Sequence, residues 1–536
     1  MTTFSMRQVG GAALLSLTLL APLAGHAAQD AQVTPRKLAF AEAVSADTDL
    51  AAYYRARDFA PIWTGTDTTA MQRRAALIAG METATAHGLP EGKYNADALI
   101  ARMQGVQTDA DLARMEIALS RIYLDLAGDL ATGILAPDKV VPGILREAPV
   151  RPAAYYLDGI QSADPAEFVR TLPPQTAEYL GLMKAKFQMQ AMVDSGGYGP
   201  QVHAEILRPG DSGREVIALR DRLAAMGYLG MSVTATYDAT MQAAVAAFQA
   251  NMGLEQDGVA GPATITQINV PVTERLQSIV VAMERERWLN MPRGDRHVLV
   301  NLTDFSARIV DFDQVTFQTR AVIGAKGADR ETPEFSDEME YLMINPTWHV
   351  PRSIVVNEYL PKLQQNPNAD SQLNIMDSQG RIVPRDAVDW RQFTRANFPF
   401  VMKQPPSNSN ALGLVKFMFP NKNNIYLHDT PSKSLFQRNV RAFSHGCVRL
   451  QDPFDFAYAL LAPEVDDPES FFQSKLRSGT ETRVDLETHV PVHLIYRTAL
   501  TSAKGQIEFR DDIYGRDALI WNALAAQGVT LDPVRG

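Results

Sequence analysis

The apolar periodicity of this chain changes from helical to alternating near residue 290, so two kinds of layer must be built from one polypeptide. Ala70 to Ala86 and Ala110 to Ala131 carry apolar residues at helical spacing. Downstream, His297-Val298-Leu299-Val300-Asn301-Leu302 and Ala307-Arg308-Ile309-Val310-Asp311 read as the arms of a hairpin, and Phe317 to Ile323 alternates. Between the two regimes Thr273 to Leu289 reads as one more helix, with Leu276, Ile279, Val280 and Met283 on its apolar face and Arg287 on its polar flank. At 536 residues the chain exceeds a single core, and about three domains are expected. The fold class is multi-domain α+β, helices first and strands last.

Residues 36–200 read as a helical N-terminal domain. His87-Gly88-Leu89-Pro90 ends one of its runs, with Gly88 as C-cap and His87 as a helix-end histidine rather than a ligand. Residues 207–270 form a compact three-helix unit, in which Asp238 is an N-cap and Pro262 suits a first helical turn. Residues 271–500 form the strand-rich domain. Segments rich in Pro, Asn and Gln interrupt it over about 356–413, and an insertion of that length is functional or disordered. Residues 501–536 are a C-terminal segment.

Residues 1–27 read as a secretory signal. Arg7 supplies a basic start, Val9 to Leu23 is an apolar run short for a membrane span, and Gly25-His26-Ala27 offers small residues before a cut. An uncleaved anchor is the alternative. The net charge is −10, with 21% charged residues. That balance lacks the basic stripe a nucleic-acid partner requires.

The chain has one cysteine, Cys447. A single thiol makes no internal disulfide and no thiolate metal site, which leaves a buried inert thiol, an intermolecular bridge or a nucleophile. Its surroundings, Ser444-His445-Gly446-Cys447-Val448-Arg449-Leu450, do not read as a core strand. A second histidine lies upstream in Ile425-Tyr426-Leu427-His428-Asp429-Thr430. A cysteine nucleophile needs a base and a site for a developing oxyanion; Gly446 allows close backbone approach, and the amides around Gly446 and Cys447 are candidate donors.

The Ser444-His445-Gly446-Cys447 block, with His428 upstream, resembles the signature of the L,D-transpeptidases, cysteine enzymes that cross-link peptidoglycan. The resemblance is greatest to their large, multi-domain Gram-negative class. It extends through Asn345-Pro346-Thr347-Trp348-His349-Val350-Pro351-Arg352-Ser353-Ile354, Asn410-Ala411-Leu412-Gly413 and Lys416-Phe417-Met418-Phe419-Pro420-Asn421. Residues 207–270 resemble a peptidoglycan-binding module, either as a glycan binder or as a spacer. The resemblance implies a helical scaffold domain, a β-rich catalytic domain and a lid at about 356–413. It places the protein in the periplasm.

By the same resemblance, Cys447 attacks a tetrapeptide stem to give a thioester, D-alanine leaves, and the side-chain amine of a second diaminopimelate completes a 3→3 cross-link. His428 is the base, with His445 as its rival for that role. The Asp429 carbonyl fixes the imidazole tautomer; the Asp429 side chain is disfavoured because neighbouring side chains on a strand face opposite ways. Arg449 is a candidate for lowering the thiol pKa or gripping a stem carboxylate. Ser444, Tyr426 and Trp348 are candidates for supporting the site or the substrate. No metal or cofactor is expected, and carbapenems are expected to acylate Cys447. Peptidoglycan stem peptides are the expected partners, with other wall synthases or carboxypeptidases as candidates. Three other readings stay open: the same thioester given to water, the same thioester given to a lipoprotein or free D-amino acid, and a non-catalytic wall-binding scaffold.

Overall fold

A computed structural model describes residues 35–327, 329–502 and 504–531. The leader expected at 1–27 lies outside the described residues, as do the last five positions of the C-terminal segment. No helix among the described residues is long and apolar enough to cross a membrane.

The N-terminal domain is helical and is organised by the helix Asp109–Thr132. Thr108 and Asp111 close its first turn as a reciprocal capping box, satisfying donors that have no partner within the helix. Its buried Glu116 accepts the backbone amides of Ile62, Trp63 and Thr64 and the Tyr54 hydroxyl. Those amides lie in a non-helical stretch after Pro61, so without Glu116 they would be buried and unpaired. His87 bonds the Tyr179 hydroxyl through Nδ1 at 3.0 Å.

The helix Val272–Arg287 departs from the amphipathic reading. From Ile279 onward it is buried on all sides, and Arg287 is enclosed rather than on a polar flank. Pairing makes that possible, because a buried charge is tolerated when it is matched and hydrogen-bonded. Arg287 meets Glu284 at 2.5 Å and donates to the His87 carbonyl at 2.7 Å. Glu286 pairs with Arg497 at 2.6 Å, and Arg285 with Glu334 at 2.7 Å. One face of the helix is thereby bolted to the N-terminal domain and another to the strand-rich domain. Its Ile279, Ala282 and Met283 join Leu219, Val245 and Phe248 of the three-helix unit in one apolar cluster. A boundary at 271 therefore cuts through a shared core.

The strand-rich domain is built on nine strands: β1 (Arg296–Asn301), β2 (Ser306–Asp311), β3 (Gln314–Gly324), β4 (Phe335–Ile344), β5 (Val415–Met418), β6 (Leu427–His428), β7 (Ala442–Ser444), β8 (Val448–Leu450) and β9 (Thr482–Ile495). Their order is β7-β3-β8-β6-β5-β4-β9-β1-β2, and β3 also pairs with β2, so the order closes on itself. Closure removes the open edges that a sheet must otherwise protect. Val298, Val300, Leu342, Phe417, Leu427, Val448 and Leu450 fill the inner face. The helix Pro453–Leu461 contributes Phe456, whose ring meets Phe417 edge-on at 4.8 Å.

The insertion is an ordered subdomain with its own core. Trp348, Val355, Leu360, Leu363, Ile375, Trp390, Phe398 and Met402 pack together. It begins earlier than the expected 356, because the strand Trp348–His349 pairs with Val401–Gln404. Fully buried Asn410 closes its neck, donating to the carbonyls of Pro346, Gln404 and Pro405 at 3.0–3.1 Å. A π-turn at Val355–Tyr359 sits where Pro361 has no amide to offer the preceding turn.

Candidate active site

Strand register places the site on the outer face of the closed sheet. β6 runs parallel to β8 with Leu427 opposite Val448 and His428 opposite Arg449. β6 runs antiparallel to β5 with Lys416 opposite His428. Side chains alternate between faces with period two. Leu427, Val448 and Phe417 point into the core, so Lys416, His428 and Arg449 form a lateral row on the other face. Tyr426 precedes His428 by two residues on that face, and Cys447 leads into β8 beside it. His428 and Cys447 are thus diagonal neighbours on one face of adjoining strands. Both line a cleft of about 1140 Å³ roofed by the insertion, together with Trp348, His349, Tyr359 and Asn424.

A short network holds the cysteine turn. Ser444 Oγ donates to the Cys447 carbonyl at 2.5 Å and accepts from the Gly446 amide at 3.2 Å. Thr332 Oγ1 donates to the Gly446 carbonyl at 2.7 Å. Gly446 has φ of +107°, and a Cβ there would press on Ile425 Cδ1 at 3.1 Å. The Gly446 amide is engaged by Ser444, which corrects its nomination as an oxyanion donor. The Cys447 amide has no acceptor among the described residues and remains the available one. Arg516 extends the network by donating to the Thr332 carbonyl at 3.0 Å, so the interdomain ion pairs reach the cysteine turn.

The sulfur of Cys447 donates to the Asn424 carbonyl at 3.5 Å. Asn424 is left-handed, with φ of +54°, a conformation asparagine tolerates better than most residues. Asn421 staples that loop, donating to the Phe419 and Ile425 carbonyls at 2.7 Å and accepting the Asn423 and Ile425 amides at 3.1 Å. Neither Asn424 nor Lys416 was nominated from the sequence as a site residue; the asparagine run at 421–424 was the available signal.

His428 bonds the Asp429 carbonyl through Nδ1, which leaves Nε2 as the nitrogen free of that bond. The Asp429 carboxylate is turned away, accepting the Leu414 and Thr430 amides at 2.9 and 2.7 Å and pairing with Lys433 at 2.8 Å. His445 does not turn to the sulfur's base position. Its Nε2 meets Glu358 Oε1 of the insertion at 2.5 Å. Trp348 lines the cleft and also packs edge-on against Tyr359, so it serves the subdomain core as well.

Burial sets the protonation state. Desolvation, aided by Arg449, lowers the His428 pKa from 6.5 to about 3. Burial raises the Cys447 thiol from 9.0 to about 11, against the opposing pull of Tyr426, Arg449 and Lys416. Arg449 does favour the thiolate, but burial outweighs it, so the resting pair is neutral thiol and neutral imidazole. Such a pair transfers its proton as the sulfur attacks, rather than beforehand. Among the described residues no group of three or more His, Cys, Asp or Glu side chains is placed to hold a metal ion.

A nucleophile, an imidazole with a fixed tautomer and a free backbone amide in a roofed cleft define a cysteine acyl-transfer site. Comparison with known proteins gives that class a family context. Residues 295–484 match the L,D-transpeptidase catalytic domain, residues 48–185 a scaffold domain, and residues 212–268 a "Putative peptidoglycan binding domain". The chain is a multi-domain protein carrying these three domains, with its single cysteine inside the catalytic one. A "Putative L,D-transpeptidase" of Haemophilus influenzae is 31% identical over 242 residues, 45% of this chain; the match spans 48% of that relative's length. The crystal structure of an L,D-transpeptidase from Xylanimonas cellulosilytica aligns over 55% of this chain and 98% of its own at 17% identity, TM-score 0.17. One from Stackebrandtia nassauensis aligns over 55% and 97% at 15% identity, TM-score 0.21.

Proposed function

We propose that the protein is an exported L,D-transpeptidase of the large Gram-negative class that makes 3→3 peptidoglycan cross-links in the periplasm. The observation that carries this reading is the diagonal placement of His428 and Cys447 on the cleft face of adjoining strands, inside the matched domain. Cys447 Sγ attacks the carbonyl at the L-centre of diaminopimelate in a tetrapeptide stem. The S–C bond forms, the C–N bond to D-alanine breaks, and His428 carries the thiol proton to the departing amine. The Cys447 amide supports the oxyanion. The side-chain amine of a second diaminopimelate then attacks the thioester: the C–N bond forms, the C–S bond breaks, and the proton lost by the amine passes through His428 to the departing sulfur.

The insertion roofs the cleft, which favours an amine acceptor over water. The module at 212–268 would hold the enzyme on the wall, and carbapenems would acylate the same sulfur. Incubation with tetrapeptide-rich sacculi, followed by muropeptide analysis, tests the reading. Diaminopimelate–diaminopimelate dimers that vanish with Cys447→Ala support it. Trimmed tripeptides without dimers would instead assign hydrolysis. Sacculus binding with no product of either kind would leave the wall-binding scaffold.

A further inference from the structure

Two cations flank the imidazole in the lateral row, Lys416 on one side and Arg449 on the other. Both line the cleft. Neither has a carboxylate within 4 Å among the described residues, whereas the buried arginines Arg285, Arg287, Arg497 and Arg516 are each paired with one. Arg449 Nε is buried without a hydrogen-bond partner. The Lys416 ammonium sits 5.7 Å from the Tyr426 ring centroid, and the carboxylate that acts on it, Glu481, lies beyond ion-pair distance. Two partly desolvated cations left unpaired beside a nucleophile cost stability that a bound anion would restore.

We propose that Lys416 and Arg449 together form a carboxylate-binding subsite that anchors the acyl-donor peptide across His428. This rests on the proposed transpeptidase reading and deepens it by assigning a substrate group to this face of the cleft. Partial burial lowers both cations' affinity for their protons, so an incoming carboxylate meets donors already partly stripped of water. The shared chemistry is a carboxylate on the donor stem. It has two sources: the terminal carboxylate of the leaving D-alanine, and the carboxylate at the D-centre of the diaminopimelate side chain. Anion binding there also removes the two positive charges that oppose an imidazolium on His428, coupling substrate recognition to proton acceptance.

The test uses the full mature chain and three synthetic tetrapeptide donors: the free acid, the D-alanine carboxamide, and the diaminopimelate D-centre carboxamide. Acylation of Cys447 is followed by intact mass, with kcat and KM resolved. The wild type should prefer the free acid to one of the carboxamides by about tenfold or more in kcat/KM. Lys416→Met should erase that preference, Lys416→Arg should restore it, and Arg449→Met should erase it independently of whether Lys416→Met folds. Whichever carboxamide loses the preference identifies the source. Preference unchanged in both Met variants, or absent in the wild type, overturns the subsite while leaving the transpeptidase reading intact. If no donor acylates the wild type, the proposed function falls and the subsite falls with it.

Discussion

His445, two residues before the nucleophile, reaches across the cleft to Glu358 on the π-turn of the insertion, with Nε2 and Oε1 2.5 Å apart. Both side chains are partly exposed, so the contact is worth about 1 kcal/mol or less and is easily broken. It is a clasp between the cysteine turn and the roof. Glu358→Ala should raise the rate at which a small alkylating reagent reaches Cys447, by up to about fivefold, and should shift the thioester toward hydrolysis. Stopped-flow alkylation and product ratios measure both. Unchanged values would mean that the clasp does not govern access.

The neutral thiol makes a distinct pH prediction. With burial holding Cys447 up at about 11, iodoacetamide alkylation of the free enzyme should climb about tenfold per pH unit from 7 to 9. A plateau reached by pH 6 would instead reveal a preformed thiolate–imidazolium pair.

Three desolvated histidines should make the fold acid-sensitive. Burial holds His428 at about 3 and His87 and His493 at about 4, all below the unfolded value of 6.5. The unfolded chain therefore binds protons that the folded chain refuses. Their contribution is complete above pH 6.5 and declines as pH falls toward 4, by about 1.4 kcal/mol per histidine per unit. Urea unfolding at pH 7 and pH 5 measures the loss. Equal midpoints would contradict the burial of these rings as neutral species.

Gly446→Ala should lower stability by about 1–3 kcal/mol, because φ of +107° is unfavourable for an L side chain. It should reduce acylation far more than that cost explains, since the same turn aims the Cys447 amide. Thermal unfolding and acylation rates on one preparation separate the two effects.

The sequence made the alternation of β1, β2 and β3 readable, because each strand has one face in the core. It made the cysteine turn readable because Ser444, Gly446 and Cys447 lie within four residues. Lys416 was not legible as part of the site: it joins His428 only through the register between β5 and β6, which no local pattern encodes. Arg287 was misread as solvent-facing for a related reason. Its partners, Glu284, Tyr179 and the His87 carbonyl, include two from another domain, and a helical wheel counts charge without seeing what pairs with it. The insertion's early start at Trp348 likewise depends on a strand partner more than fifty residues away in the chain.

The most direct test is intact-protein mass spectrometry of the protein after incubation with a tetrapeptide stem donor, wild type beside Cys447→Ala. A single adduct is expected on the wild type, equal to the donor less D-alanine, and none on the variant. A folded wild type that forms no adduct, or an adduct that persists without the thiol, would contradict the proposed function.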